Sequence, residues 1–426
     1  LKIRRFILII IVLFSGIHGS SQQLGLDVLN GKSRIEIPFS YYQGFIILDV
    51  NFQFLLPLKF IFDTGAQNTI IFNKDDISIF QTQYSREISI MGADYSVEVK
   101  ALIARGVNLT MNNREIMIQR DILVLKEDIV KLREIIGKDI HGILGANIFK
   151  GLIVEIDYRR RKLILHDPKQ FNERKFRDFE KIPILVNNSK PYLNAKSIIN
   201  GFAADSLNYL LDTGASISLL HHSGEDTSIQ VPENAIVGSL GKGIGGDVQG
   251  YVGIIDSFIL SNDIVFNQPL SYFQQFDLEY NQDHIFRHAI IGNMLLERFH
   301  LVIDYINHVL YLKPNKNFKK AFKYDRSGLS IIASGKNLNT YIVSSVVRGS
   351  PADQAGIIPG DIIKRYNWRP KFVISLSQLN SDLSGKVGKK IRLVIERDGQ
   401  KIIKRFVLRD LFTSDSVQKF KSRFKK

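Results

Sequence analysis

The sequence predicts a mainly β protein: two copies of one β-rich unit in a single chain, followed by a smaller α+β unit. Three observations carry that prediction. Residues 60–72 read FIFDTGAQNTIIF and residues 209–221 read YLLDTGASISLLH. Downstream of each, HGILGANIFKGLIVEIDYRRRKLIL at 141–165 matches HAIIGNMLLERFHLVIDYINHVLYL at 288–312. The offset is 149 residues between Asp63 and Asp212, 147 between Gly145 and Gly292, and 147 between Asp157 and Asp304. A fixed period of this size marks an internal duplication. Residues 328–411 depart from the repeat and mix short strands with helix signals.

Taken in order, residues 1–21 place Lys2, Arg4 and Arg5 before the apolar run FILIIIVLF, then small residues up to Ser21. A basic segment, a short apolar core and small residues predict a secretory signal peptide and an exported, periplasmic or secreted protein. The run is short for about 30 Å of hydrocarbon, so a membrane anchor is the lesser reading. The first β unit is expected over 22–169. There Phe45 to Phe54 and Leu58 to Phe62 are dense in Ile, Leu, Val and Phe, as partly buried strands are. Residues 170–181, QFNERKFRDFEK, read as a charged linker, and 182–316 as the second unit. Ile153 to Ile156 with Lys162 to Leu165, and Leu301 to Ile303 with Val309 to Leu312, read as hairpins. Short helices are expected over Ala146–Lys150 and Asn293–Arg298.

The chain holds 57 Lys+Arg against 42 Asp+Glu, a net charge of +15. Residues 361–426 hold 18 basic and 6 acidic residues, so most of the excess is C-terminal. A basic end of this kind suits weak contact with an anionic membrane surface. No helix-turn-helix, zinc finger or aromatic-basic RNA motif accompanies it, so no nucleic-acid partner is expected. Cysteine is absent, which excludes thiol nucleophiles, disulfides and Cys-ligated zinc. His284 and His288 have a helical ligand spacing without an adjacent Glu; it reads as coincidence, and no metal or cofactor is expected.

The paired Asp-Thr-Gly triplets carry the chemistry. Each follows two large apolar residues, and each is followed 80–82 residues later by Ile-Leu-Gly or Ile-Ile-Gly. In this respect residues 35–315 resemble the retropepsin/pepsin group of aspartic peptidases. The resemblance implies two homologous retropepsin-like β-barrel lobes, with Asp63 and Asp212 as catalytic residues. Thr64 and Thr213 would lock the loops together, and Gly65 and Gly214 would admit backbone amides to the carboxylates. Two carboxyls about 3 Å apart share one proton and titrate as a unit. One then removes a proton from water while its partner polarises a carbonyl. Duplication supplies both from one chain, so a monomer is expected. Ala66 and Ala215 stand where pepsin-like members carry a hydroxyl donor, which implies a less acidic working range.

Gly241, Gly243 and Gly246 spell GxGxxG, but a dinucleotide site needs a strand before and a helix after. The residues that follow alternate like a strand. The resemblance instead makes Gly243, Ile244, Gly245 and Gly246 a mobile flap. Residues 317–411 resemble a PDZ domain of the bacterial protease type, above all in SPADQAGIIPGDII at 350–363. That resemblance implies an added peptide strand, its C-terminal carboxylate held by Gly328, Leu329, Ser330 and Ile331, with Ser375 to Leu383 as the facing helix. Residues 412–426 read as a basic tail. Together these imply an exported aspartic endopeptidase acting on peptide or protein substrates, with a C-terminal peptide as PDZ ligand. The alternative is a non-catalytic peptide-binding scaffold that retains the fold.

Overall fold

A computed structural model describes residue 29 and residues 31–91, 98–129, 131–223, 229–233, 235–243, 246–275 and 287–412. The expected signal peptide, the flap residues Ile244 and Gly245, His284, and the tail beyond Phe412 lie outside the described residues. No described helix is long and apolar enough to cross a membrane.

The protein is mainly β. An eight-stranded sheet runs in the order Ser40–Tyr42, Phe45–Phe52, Leu56–Asp63, Gly142–Gly145, Ile70–Ile71, Ile116–Leu125, Glu98–Met111, Tyr84–Met91. A second pairing between Phe45–Phe52 and Glu98–Met111 curls it back on itself. Alternation is weak in FIILDVNF because six of its eight positions are buried. A strand buried on both faces reads as an apolar run. A ten-stranded sheet follows, with Phe202–Asp212 beside Ala289–Gly292 and Ala289–Gly292 beside Leu219–Ser223.

Corresponding strands pair alike in the two sheets. Leu56–Asp63 runs parallel to Gly142–Gly145 with Asp63 opposite Gly145, and Phe202–Asp212 runs parallel to Ala289–Gly292 with Asp212 opposite Gly292. Each Gly-ending strand then meets an antiparallel partner, Ile70–Ile71 or Leu219–Ser223. A six-stranded antiparallel sheet joins the halves: Arg34–Pro38, Lys162–His166, Ile153–Asp157, Phe299–Asp304, Val309–Pro314, Glu180–Pro183. Its central pair crosses from one repeat to the other, with Glu155 opposite Val302. Fully buried Phe60, Phe62, Phe149, Tyr209, Phe258 and Phe299 belong to one continuous core. Each such side chain contributes about 1.5–3 kcal/mol relative to exposure.

Two expectations need refinement, and a third agrees with the structure. The helix after Gly145 is a single 3-10 turn, Ala146–Phe149, and that after Gly292 is only Asn293–Leu296. Residues 170–181 are no simple solvated connector: Phe171 stacks on Phe176, and Phe176 and Phe179 are buried against Ile153, Val302 and Tyr311. Charge dominates that segment's composition, but its three phenylalanines decide where it lies. Third, Gly241 and Gly243 end strand Ile236–Gly243 and Gly246 begins its antiparallel partner Gly246–Ile254. That hairpin agrees with the strand reading of the GxGxxG run.

The C-terminal part is a separate sheet with its own core, in the order Leu329–Ser334, Thr340–Val346, Ile362–Tyr366, Lys390–Arg397, Gln400–Val407. Leu329–Ser334 is its edge. Ser350 caps helix Pro351–Gln354, with Pro351 at the first turn and Gly356 in the left-handed conformation just beyond. Helix Leu376–Leu383, capped by Ser375, buries Leu376, Leu379 and Leu383.

Candidate functional site

The two Asp-Thr-Gly loops face each other at the junction of the two larger sheets. Strand pairing delivers them: Asp63 and Asp212 are the last residues of their strands, each held level with a Gly of the parallel neighbour. Those neighbours must be glycine. A Cβ on Gly145 would lie 2.4 Å from the Asn68 carbonyl carbon, and one on Gly292 would lie 2.4 Å from the Ile217 carbonyl oxygen. Amides of the following turns complete the support, Ala146 to the Ala66 carbonyl at 2.8 Å and Asn293 to the Ala215 carbonyl at 2.7 Å.

Between the loops the threonines interlock. The Thr64 amide donates to Thr213 Oγ1 and the Thr213 amide donates to Thr64 Oγ1, both at 3.0 Å. The Thr64 hydroxyl donates to the Leu211 carbonyl at 2.7 Å, and the Thr213 hydroxyl to the Phe62 carbonyl at 2.9 Å. Both threonines are buried. Four backbone groups that water cannot reach are therefore satisfied across the junction by two hydroxyls.

The carboxyls sit above this lock. Gly65 and Ala66 amides donate to Asp63 Oδ1 at 2.8 and 2.9 Å, and the Gly214 amide donates to Asp212 Oδ1 at 2.8 Å. Each carboxyl also lies on the other loop's glycine. A Cβ on Gly65 would fall 2.4 Å from Asp212 Cγ, and one on Gly214 would fall 2.3 Å from Asp63 Cγ. Glycine is required at both positions because a carboxyl occupies the space. The two carboxyls are close enough to interact, and both residues are half-buried. Burial pushes both above the usual carboxylate range; for Asp63 the Asp212 charge adds to the lift. For Asp212 the Gly214 and Ala215 amides and the Arg287 charge oppose it. Such a pair shares one proton, so it offers an acceptor and a donor side by side.

Sequence reasoning missed the residues behind this pair. Asn293 donates to the Thr213 carbonyl and accepts from the Tyr158 hydroxyl at 2.5 Å, tying the lock to a tyrosine of the first repeat. The repeat gives no signal for it, because GAN at 145–147 against GNM at 292–294 sets Ala146 opposite Asn293. Below, Glu155 accepts from His166 Nε2 at 2.7 Å and His300 Nε2 at 2.8 Å, and these bonds hold its carboxyl at about 2 despite burial. No group of His, Asp and Glu among the described residues is arranged to hold a metal ion. Ser197 and Ser271 approach His221 at 3.0 and 2.7 Å, but all three are fully enclosed in the second sheet.

In the C-terminal loop, amides expected to hold a peptide carboxylate have an internal partner. Gly328 is left-handed (φ +81°), and a Cβ there would collide with Ser350. The amides of Ser327, Gly328 and Leu329 already donate to the Asp325 carboxylate. Burial nonetheless raises Asp325 to about 6. Leu329 and Ile331 are buried in the domain core, whereas Ser330 is half-buried at the edge.

Comparison with known proteins bears on both regions. A PDZ domain family model matches residues 342–397. A CtpA-like serine protease of Staphylococcus aureus (strain MRSA252) is 28% identical over 120 residues, covering 28% of this chain and 23% of that protein. The protease Do-like 14 of Arabidopsis thaliana is 36% identical over 59 residues, covering 14% and 12%. Another CtpA-like serine protease, from strain COL, is 28% identical over 97 residues, covering 23% and 19%. The chain thus spans between about an eighth and a quarter of these relatives' length. Their names correct the expectation of an aspartic endopeptidase, since those that state a class state the serine class. The chain carries a C-terminal PDZ domain, and the proteins it is similar to are named as proteases.

Proposed function

We propose that the protein is an exported, peptide-directed protease whose PDZ domain recognises a peptide segment, and that Asp63 and Asp212 are its site residues. The PDZ match and the relatives' names support the peptide and protease parts of this reading. The observation that carries the site assignment is the mutual seating of each carboxyl on the other loop's glycine. No structural need explains two half-buried acids in that position, because paired like charges cost stability. Thr64, Gly65, Thr213 and Gly214 hold the pair, and the segment that begins at Gly243 and ends at Gly246, which pair with each other, is the candidate covering element. The matching strand orders favour two copies of one retropepsin-like unit as the fold. Export rests on residues 1–21.

The test is turnover of a mixed peptide pool by the full chain, its Asp63→Asn and Asp212→Asn variants, and wild type treated with a fluorophosphonate. Loss of turnover in both Asn variants supports the site. A covalent adduct with loss of activity would assign the nucleophile to a serine, as in the relatives' names. Turnover retained in both Asn variants would refute the site assignment.

A further inference from the structure

The PDZ groove lies between edge strand Leu329–Ser334 and helix Leu376–Leu383, where an incoming peptide would add as a strand. In this chain a segment of the first repeat is already there. Helix Leu132–Ile136 packs on the edge strand. Gly137, left-handed at φ +69°, closes that helix and is wedged between the groove walls. A Cβ on it would lie 3.1 Å from Leu376 Cβ on the helix and 3.6 Å from Ala333 Cβ on the strand.

Hydrogen bonds fix the contact one helical turn further along. Gln43 Nε2 donates to the Ile136 carbonyl at 2.7 Å, while Gln43 Oε1 accepts from Asn380 Nδ2 at 2.9 Å. One amide side chain thus joins the wedged segment to the groove helix. Arg133 anchors the other side of the segment through Asp76 and the Ile140 carbonyl. At the opposite end of the groove, Asp325 accepts from the loop amides that would meet a peptide terminus.

From these contacts we infer that the segment Leu132–Gly137 is an internal ligand of the PDZ groove, which an external peptide must displace. The inference rests on the PDZ reading above. Its consequence reaches the carboxyl pair. Gln43 and Gly44 form the left-handed tip of the hairpin joining Ser40–Tyr42 to Phe45–Phe52. A Cβ on Gly44 would lie 2.8 Å from Ser216 Cβ, four residues after Asp212. Freeing Gln43 therefore loosens a tip that rests on the Asp212 loop.

The chain lacks cysteine, so Gly137→Cys with Leu376→Cys introduces one cross-link across the contact; the two Cβ positions are 3.1 Å apart, closer than the roughly 3.5 Å lower end of disulfide spacing, so the segment must give slightly to form it. The probe is an immobilised library of decapeptides with free C-termini, offered to the full chain. Mild copper–phenanthroline oxidation is expected to close the bond, and the oxidised form to capture at least about tenfold less peptide than the reduced form. Independently, Gln43→Ala with Asn380→Ala, which adds no strain, is expected to raise capture at least about fivefold over wild type, since it removes both hydrogen bonds of the Gln43 bridge. Equal capture by oxidised and reduced forms, with no gain in the alanine variant, overturns the internal-ligand inference but leaves peptide binding intact. If the cysteines do not join, the alanine variant decides alone, and no gain in its capture overturns the inference. No capture by any form, the alanine variant included, overturns the peptide-binding reading itself.

Discussion

Replacing Thr213 by Val tests whether the interlocked threonines hold the two halves together. Valine keeps the shape and removes the hydroxyl. The Thr64 amide then loses its acceptor at 3.0 Å, and the Phe62 carbonyl loses its donor at 2.9 Å. Thr64 and Thr213 are buried to within 1% of full enclosure, so water cannot take over. An unsatisfied buried backbone group costs about 1–3 kcal/mol, which gives about 2–6 kcal/mol for the pair. Thr213→Ser is the control: it keeps both bonds and gives up one methyl, about 0.8 kcal/mol. Hydrogen–deuterium exchange across residues 62–66 reads the local effect, and urea unfolding reads the global one. Exchange at the Thr64 amide is expected to speed up at least about thirtyfold in the valine variant, since 1.4 kcal/mol is a factor of ten. A valine variant within about 0.5 kcal/mol of the serine variant would show that the lock contributes little and that the six-stranded junction sheet does the holding.

Two further outcomes follow from the raised carboxyls. Because burial and a like charge lift the Asp63–Asp212 pair, its contribution to stability is fully present below the ordinary aspartate value and is lost as pH rises through the lifted range. Asp212→Asn should therefore raise stability, and with it Tm, at pH 7 and leave both unchanged near pH 3; calorimetry showing no gain at pH 7 would refute the shared-proton picture. Asp325, raised to about 6, has the same sign. The PDZ region of the wild type should lose about 2.4 kcal/mol between pH 4 and pH 7. Asp325→Asn, which keeps the acceptor for the loop amides, should flatten that dependence, and an unchanged slope in urea midpoints would count against it.

Asp325 is held by three amides and the Ser327 hydroxyl, all of which favour its charge, yet enclosure outweighs them. Glu155 shows the opposite result, because two histidines contact its two oxygens and hold it at about 2. Whether a buried carboxyl is lifted or lowered here depends on whether its partners carry hydrogen from imidazole or only from neutral backbone and hydroxyl groups.

Periodicity and repetition alone determined a good deal. The 147-to-149-residue offset placed Asp63 level with Asp212 and Gly145 level with Gly292, and the glycines proved necessary because backbone or carboxyl atoms fill the Cβ positions. The Ser-Pro, Gly and Pro-Gly signals of 350–360 marked a capped helix and its turn, since capping and φ preferences act within a few residues. Only tertiary structure could set the rest. That 170–181 tucks three phenylalanines beneath the junction sheet, that Asn293 reaches Tyr158, and that Gln43 bridges Ile136 and Asn380 are contacts between residues up to 337 apart. Local propensity carries no information at that range: such pairings are fixed by which surfaces must be buried together once the sheets exist, and a single amide side chain leaves no periodic trace in the chain.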